Sequence, residues 1–272
     1  MARMPKSTLL YWNARVEQEG RKQLQMTVEQ MEEELRKLYA GQSKELIHNL
    51  YDVWMKMERD MEEKGKNYLN DFYRTSSYTE LLNYFNECAK ALGGEQELIT
   101  ERYLIQAYEE SKATIEQYAP KGLPKRSFNV PTAVDAKQVV HQVWCLDGKE
   151  FSDRIWADKR NLVRVLEKTM ADSVARGISA FDIANEIRDR LKSNLFCAYR
   201  IARTEAAHAQ VMGQTEKYQE YGFTHGIFLA NDPCDECGYH DGQRYTLKEI
   251  QSLIPKHPNC TCSFLVDTEV GQ

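Results

Sequence analysis

Apolar residues recur through the first 120 positions at spacings of three and four, the period of a helix buried along one face. Leu24, Val28, Met31, Leu35 and Leu38 form the clearest run, a short coiled-coil-like stripe. Gly41 punctuates the pattern, and Ser43 is placed to cap a second helix. That helix carries Leu46, Leu50, Val53, Trp54, Met57 and Met61 on one face and is expected to end at Gly65. Ser77-Tyr-Thr-Glu80 fits a capping box, opening a helix expected to stop at Gly93-Gly94. A further helix with Leu98, Tyr103, Leu104 and Ile105 follows before Tyr118. Stripes of this kind read as core rather than as a cofactor site.

Residues 119–131 hold three prolines, one glycine and three basic residues, which marks a hinge. A helix ending near Trp144-Cys145 is expected next, then a turn at Asp147-Gly148. Phe151 to Trp156 opens a long helix, with Ser152 able to cap it and Gly177 suited to end it. Ser179 to Asp182 starts a helix to Leu191, and a last long helix covers about 195–220, stopping at Gly222. The pattern then changes. Residues 223–230 alternate weakly like a strand, 233–245 are turn-rich, 247–253 suit a short helix, and 263–266 a short strand. The fold class expected is mainly α, with long N-terminal helices and a helical C-terminal domain ending in a small α+β zinc-knuckle-like knot. The domains expected are 1–120, a 121–131 linker, and 132–272 with the knot at about 230–266.

Hydrophobic residues make up 42% of the 272 and charged residues 28%. Mean hydropathy is -0.64. No apolar run reaches membrane-spanning length, and the first residues lack the core of a secretory signal. A reducing cytoplasm is therefore expected, with no membrane partner. The net charge of -5 argues against a surface that coats nucleic acid throughout. Residues 149–203 nevertheless hold 12 Lys/Arg against 8 Asp/Glu. That face is either solvated helix surface or a contact for double-stranded DNA phosphates.

The seven cysteines are too odd a set for a disulfide framework in a chain of this kind. Four of them lie near the end, in Cys234-Asp-Glu-Cys237 and His257-Pro-Asn-Cys260-Thr-Cys262. A Cys-x2-Cys turn presents two thiolates to one tetrahedral ion, and a second pair about 20 residues on completes the set. His257 with Cys260 is the natural second pair. Cys262 competes with Cys260, since the two alternate along an extended segment, and His240 is a spare donor. Four protein ligands describe structural Zn2+ rather than a catalytic ion. The plainer alternative is reduced cysteines packed in a small core.

Catalytic readings are weaker. Pro233-Cys234-x-x-Cys237 matches half of the deaminase signature, but His208 is followed by Ala-Gln and His225 by Gly-Ile, so the His-x-Glu half is missing. A zinc-stapled nuclease would use His240, Asp241, His257 and Asn259, yet the acidic-histidine strand before such a finger is not evident. Arg200, Thr204, Glu205 and His208 share helical faces. They read as a polar network orienting that helix against the knot rather than as a catalytic group. No catalytic residue and no small-molecule substrate are expected.

Taken in order, five pieces resemble the Mu F-like head-morphogenesis family of phage minor head proteins. They are Phe151–Trp156, Ala175–Ser179, Arg200–Glu205, Cys234-x2-Cys237 with Asp241-Gly242, and His257-Pro-x-Cys260-x-Cys262. Tyr11-Trp12-x-x-Arg15 also looks like the start of such proteins. Thr261 departs from the family's usual arginine between the two cysteines. The resemblance implies a non-enzymatic virion component, made in the host cytoplasm and assembled early with portal, scaffold and major capsid proteins. It leaves open a role in DNA packaging or ejection. The alternatives are a zinc-stapled nuclease and a DNA-binding adaptor.

Overall fold

The computed structural model describes residues 6–64, 75–125, 135–145, 147–231 and 234–268. Gly65, Pro233, the side chain of Met61 and residues 126–131 of the expected hinge lie outside the described residues. Four long helices and one short one come first: α1 (Lys6–Lys64), α2 (Ser76–Tyr118), the short α3 (Ala136–Val140), α4 (Phe151–Arg176) and α5 (Ala180–Glu220). Then come β1 (His225–Leu229), α6 (Asp235–Gly238), β2 (Arg244–Thr246), α7 (Leu247–Leu253) and β3 (Ser263–Val266). The chain is mainly α with a small C-terminal sheet, as its periodicity indicated. No described helix is long and apolar enough to cross a membrane.

The long helices are fewer and longer than their glycines suggested. Gly41 lies inside α1 and Gly93-Gly94 inside α2, with no break at either. A glycine costs a helix only about 1 kcal/mol against alanine, and the apolar face continues across it. Gly93 also has a partner. A Cβ there would lie 2.7 Å from the Trp156 ring, while the Trp156 Nε1–H donates to Glu97 at 2.8 Å one turn further on. The glycine is the seat of an indole. The α2 cap is Thr75, whose Oγ1 accepts the Tyr78 N–H at 3.1 Å, and not Ser77, which is buried. α3 stops at Val140, short of Trp144, and residues 180–220 form one helix rather than two. Gly177 and Gly222 end their helices with φ of 64° and 82°, conformations that favour glycine.

The chain divides into two compact units, each made of separated stretches. Unit 1 takes residues 1–32, 99–152 and 200–272; unit 2 takes 33–98 and 153–199. Unit 2 is helical. Leu35, Leu46, Phe85, Leu166 and Ile187 are among its fully buried side chains. Lys159, 2% exposed, is also inside it. Its ammonium donates to Asn194 Oδ1 at 2.6 Å and Asp158 Oδ2 at 3.1 Å, and meets the Tyr39 hydroxyl. Burial lowers the Lys159 pKa against the pull of Asp158.

Unit 1 carries the sheet, in the order β2-β1-β3 and antiparallel throughout. Its core is mixed. Trp12 meets Tyr218, Tyr221 and Phe223 at 5.7 to 6.1 Å, and Tyr218 packs edge-on against Phe264 of β3. The same core takes in Leu247, Ile250, Cys237, Cys260 and Cys262. Asn13 closes the free edge of β3: its Nδ2 donates to the Val266 carbonyl at 2.6 Å and its Oδ1 accepts the Val266 N–H at 3.0 Å. An exposed strand edge is a pairing hazard, and a side-chain amide here satisfies it. α2 and α5 approach closely in this unit, since a Cβ on Gly213 would lie 2.3 Å from the Tyr108 carbonyl oxygen.

Candidate metal centre

The sheet explains why two distant motifs meet. Leu229 at the end of β1 pairs with Ser263 at the start of β3. Cys234 follows β1 by five residues, and Cys262 immediately precedes β3. Antiparallel pairing therefore brings both loops out at one end of the sheet. Asn231 and Thr261 tie them: Asn231 Nδ2 donates to the Thr261 carbonyl at 2.8 Å, and Thr261 Oγ1 donates to the Asn231 carbonyl at 3.2 Å.

Cys234 is the N-cap of the one-turn α6, and Cys237 lies within it. The turn puts both thiols on one side. The second loop reverses at Asn259, whose φ of 60° is one that asparagine tolerates. The Cys260 N–H donates to the His257 carbonyl at 3.1 Å. Two donor groups result, Cys234 with Cys237 and His257, and Cys237 with Cys260 and Cys262, each with ligand atoms within 4.8 Å of one another. Cys237 belongs to both. All five residues read from the sequence as metal donors are thus brought together. The alternation expected to set Cys260 against Cys262 does not hold, because residues 260–262 precede the strand and both thiols approach Cys237.

The donor chemistry fits a zinc ion. A tetrahedral ion with Zn–S near 2.3 Å sets its sulfurs about 3.8 Å apart. Cys237 Sγ and Cys260 Sγ are 3.8 Å apart, and Cys234 Sγ lies 3.2 Å from His257 Nε2. His257 Nδ1 sits 3.0 Å from the Pro258 carbonyl, to which it donates, so Nε2 keeps its lone pair for a metal. That bond is the main reason the His257 pKa is raised. Backbone N–H groups of Cys237 and Glu236 hold the Cys234 pKa down. The Cys260 thiol is also lowered: burial opposes this, but N–H donors from Cys262 and Lys256 prevail. Burial pushes the Cys237 thiol up. A cation beside these sulfurs would supply the positive charge that a buried thiolate lacks. Cys234, Cys237, His257 and Cys260 or Cys262 would hold it.

His240, the spare donor, stands outside both groups. Its Nδ1 is 2.6 Å from the Tyr245 hydroxyl, and its ring packs on Phe228. Asp241 Oδ1 accepts the Ala230 N–H at 2.9 Å. His240 and Asp241 therefore shape the β1–β2 connection. The α5 motif acts as a network. Thr204 Oγ1 accepts the Asn259 N–H at 3.1 Å, fixing the second donor loop to the helix. Glu205 accepts the Trp144 Nε1–H at 2.8 Å, and Trp144 stacks on His208 at 4.3 Å. Sequence reasoning missed Trp144 and Asn13. A polar Asn13 between Trp12 and Val16 on an apolar face was the one available signal for the latter.

Fold and site together define a mainly helical chain ending in a small Cys/His knot that shares the core of its unit. Residues 164–265 match the family described as Phage Mu protein F like protein. The match runs from within α4 through both donor loops into β3, and over this span the chain is similar to that family. Tyr11-Trp12 and Phe151–Trp156 lie outside it. Comparison with curated proteins and with solved structures gives no match.

Proposed function

We propose that the chain is a minor head protein of a tailed phage or prophage. It assembles early with portal, scaffold and major capsid proteins, and its C-terminal knot is held by structural zinc. It is not an enzyme. The observation that carries the structural part is the gathering of the five donors into two groups joined at Cys237, with Cys237, Cys260 and Cys262 in the core of the unit that holds the sheet. Donors packed in this way leave the ion's coordination to protein atoms, which is the arrangement of a structural site. The family match supports the head-morphogenesis part.

The chain co-expressed with its neighbouring portal and scaffold genes should sediment with procapsids, and a Cys237→Ser variant should be lost from them. A chain that stays at the top of the gradient while procapsids form normally would refute the assembly role. Plasmid cleavage with Mg2+ or Zn2+, abolished by His240→Ala, would refute the non-enzymatic one.

A further inference from the structure

Unit 2 carries a groove of about 290 Å3 between its stretches of α1 and α5. Helical spacing builds it. On α1, Arg36 and Lys44 lie just over two turns apart, with Tyr39 and Ala40 between them. On α5, Arg188 and Lys192 are one turn apart, with Leu191 and Leu195 beside them. The outcome is an apolar floor with a cation at each corner. No carboxylate lines it.

Two acids answer the four cations. Glu33 chelates Arg36 at 2.7 and 2.8 Å, and Asp189 lies 3.3 Å from Lys192. Among the described residues Lys44 has no ion-pair partner, and Arg188 bonds only the Asn185 side chain. The rim thus keeps two positive charges on a chain whose net charge is -5. Phe196, one turn beyond Lys192, is 70% exposed and touches Tyr199 edge-on, which lengthens the apolar strip.

We propose that this groove docks an acidic amphipathic segment of a partner protein. Its apolar side chains rest on Ala40, Leu191 and Leu195, and its carboxylates meet the four cations. Helix-in-groove recognition uses this division of labour, with apolar anchors for affinity and charge for choice of partner. A duplex backbone matches the cations but has nothing to fill the apolar floor. The choice of a protein over DNA rests on that floor.

Fluorescence anisotropy on the full chain tests this with a labelled peptide of about 15 residues, leucines at helical spacing and glutamates between. The expected result is saturable binding, weakened at least ~10-fold when the glutamates become glutamines. Lys44→Glu with Arg188→Glu should weaken it as much. So should Ala40→Trp, which fills the groove from an exposed position without changing charge. Circular dichroism confirms that each variant keeps its helices. Equal binding of the glutamine peptide, or undiminished binding by either variant, overturns the proposal. Tighter binding of duplex DNA, lost in the charge-reversed variant, overturns it in favour of a nucleic-acid surface.

Discussion

The two units bury polar groups in different settings. In unit 2 the buried ammonium of Lys159 and its partners Asp158, Asn194 and Tyr39 all stand on helices. The i→i-4 ladder of each helix fixes those positions before any side chain bonds, so the network adds selectivity to a scaffold that is already regular. In unit 1 the buried thiols of Cys260 and Cys262 stand on loop, and Cys237 on a single helical turn. No long ladder of backbone hydrogen bonds holds such segments in place. Neighbours must do so: the Asn231–Thr261 pair, the Thr204–Asn259 bond and the shared aromatic core. A cation among the sulfurs would add a further source of order, because in small metal knots binding free energy is folding free energy.

That contrast can be broken most severely at Cys237, which belongs to both donor groups. Cys237→Ser should cost unit 1 several kcal/mol, on the order of 3–5 or more, and leave unit 2 nearly untouched. Hydrogen exchange read by mass spectrometry separates the two, and equal loss of protection in residues 153–199 would erase the contrast. Next comes Lys159→Ala, expected to cost about 3–5 kcal/mol in unit 2 by leaving Asp158 without its buried partner. Lys159→Met, which keeps the volume, should cost less than the alanine, and chemical denaturation measures both. Gly213→Ala should cost about 1–3 kcal/mol in unit 1, since the methyl collides with the Tyr108 carbonyl and the Ser111 hydroxyl.

The smallest effect concerns pH. His141 sits between Glu101 at 2.8 Å and Glu150 at 2.9 Å, and a neutral imidazole has one N–H for two acceptors. Burial opposes its charge, but the two carboxylates prevail and its pKa is raised above the ordinary histidine value of 6.5. The charged pair therefore stabilises unit 1 fully below that unfolded value and is lost as pH rises through the folded one. Solvent screening keeps the gain to about 1 kcal/mol or less. His141→Gln should lower the melting temperature at about pH 5.5 and leave it unchanged at about pH 8.5.

Much of this organisation was readable in the chain. The Cys/His grouping, the α7 helix, the β3 strand and the glycine stops at 177 and 222 each follow from local chemistry, so they needed no tertiary knowledge. The departures share a cause. Gly93 reads as a breaker until Trp156 is found packed on it, and Gly41 until the apolar face is seen to continue. Ser77 reads as a cap because its spacing to Glu80 is right, but Thr75 is the residue outside the helix and Glu80 pairs with Lys56 instead. β2 has three residues and lies in a turn-rich stretch, too short for alternation to register. The meeting of Cys260 and Cys262 on Cys237 depends on where β3 begins, which spacing alone does not reveal.

Zinc analysis coupled to hydrogen exchange before and after chelation reaches the central claim most directly. The purified chain should carry about one zinc. Removing it should release protection in residues 225–266 and in 9–16, which share their core, while 153–199 stay protected. A chain that holds no zinc, or one whose exchange is unchanged when its zinc is stripped, would contradict a metal-held knot.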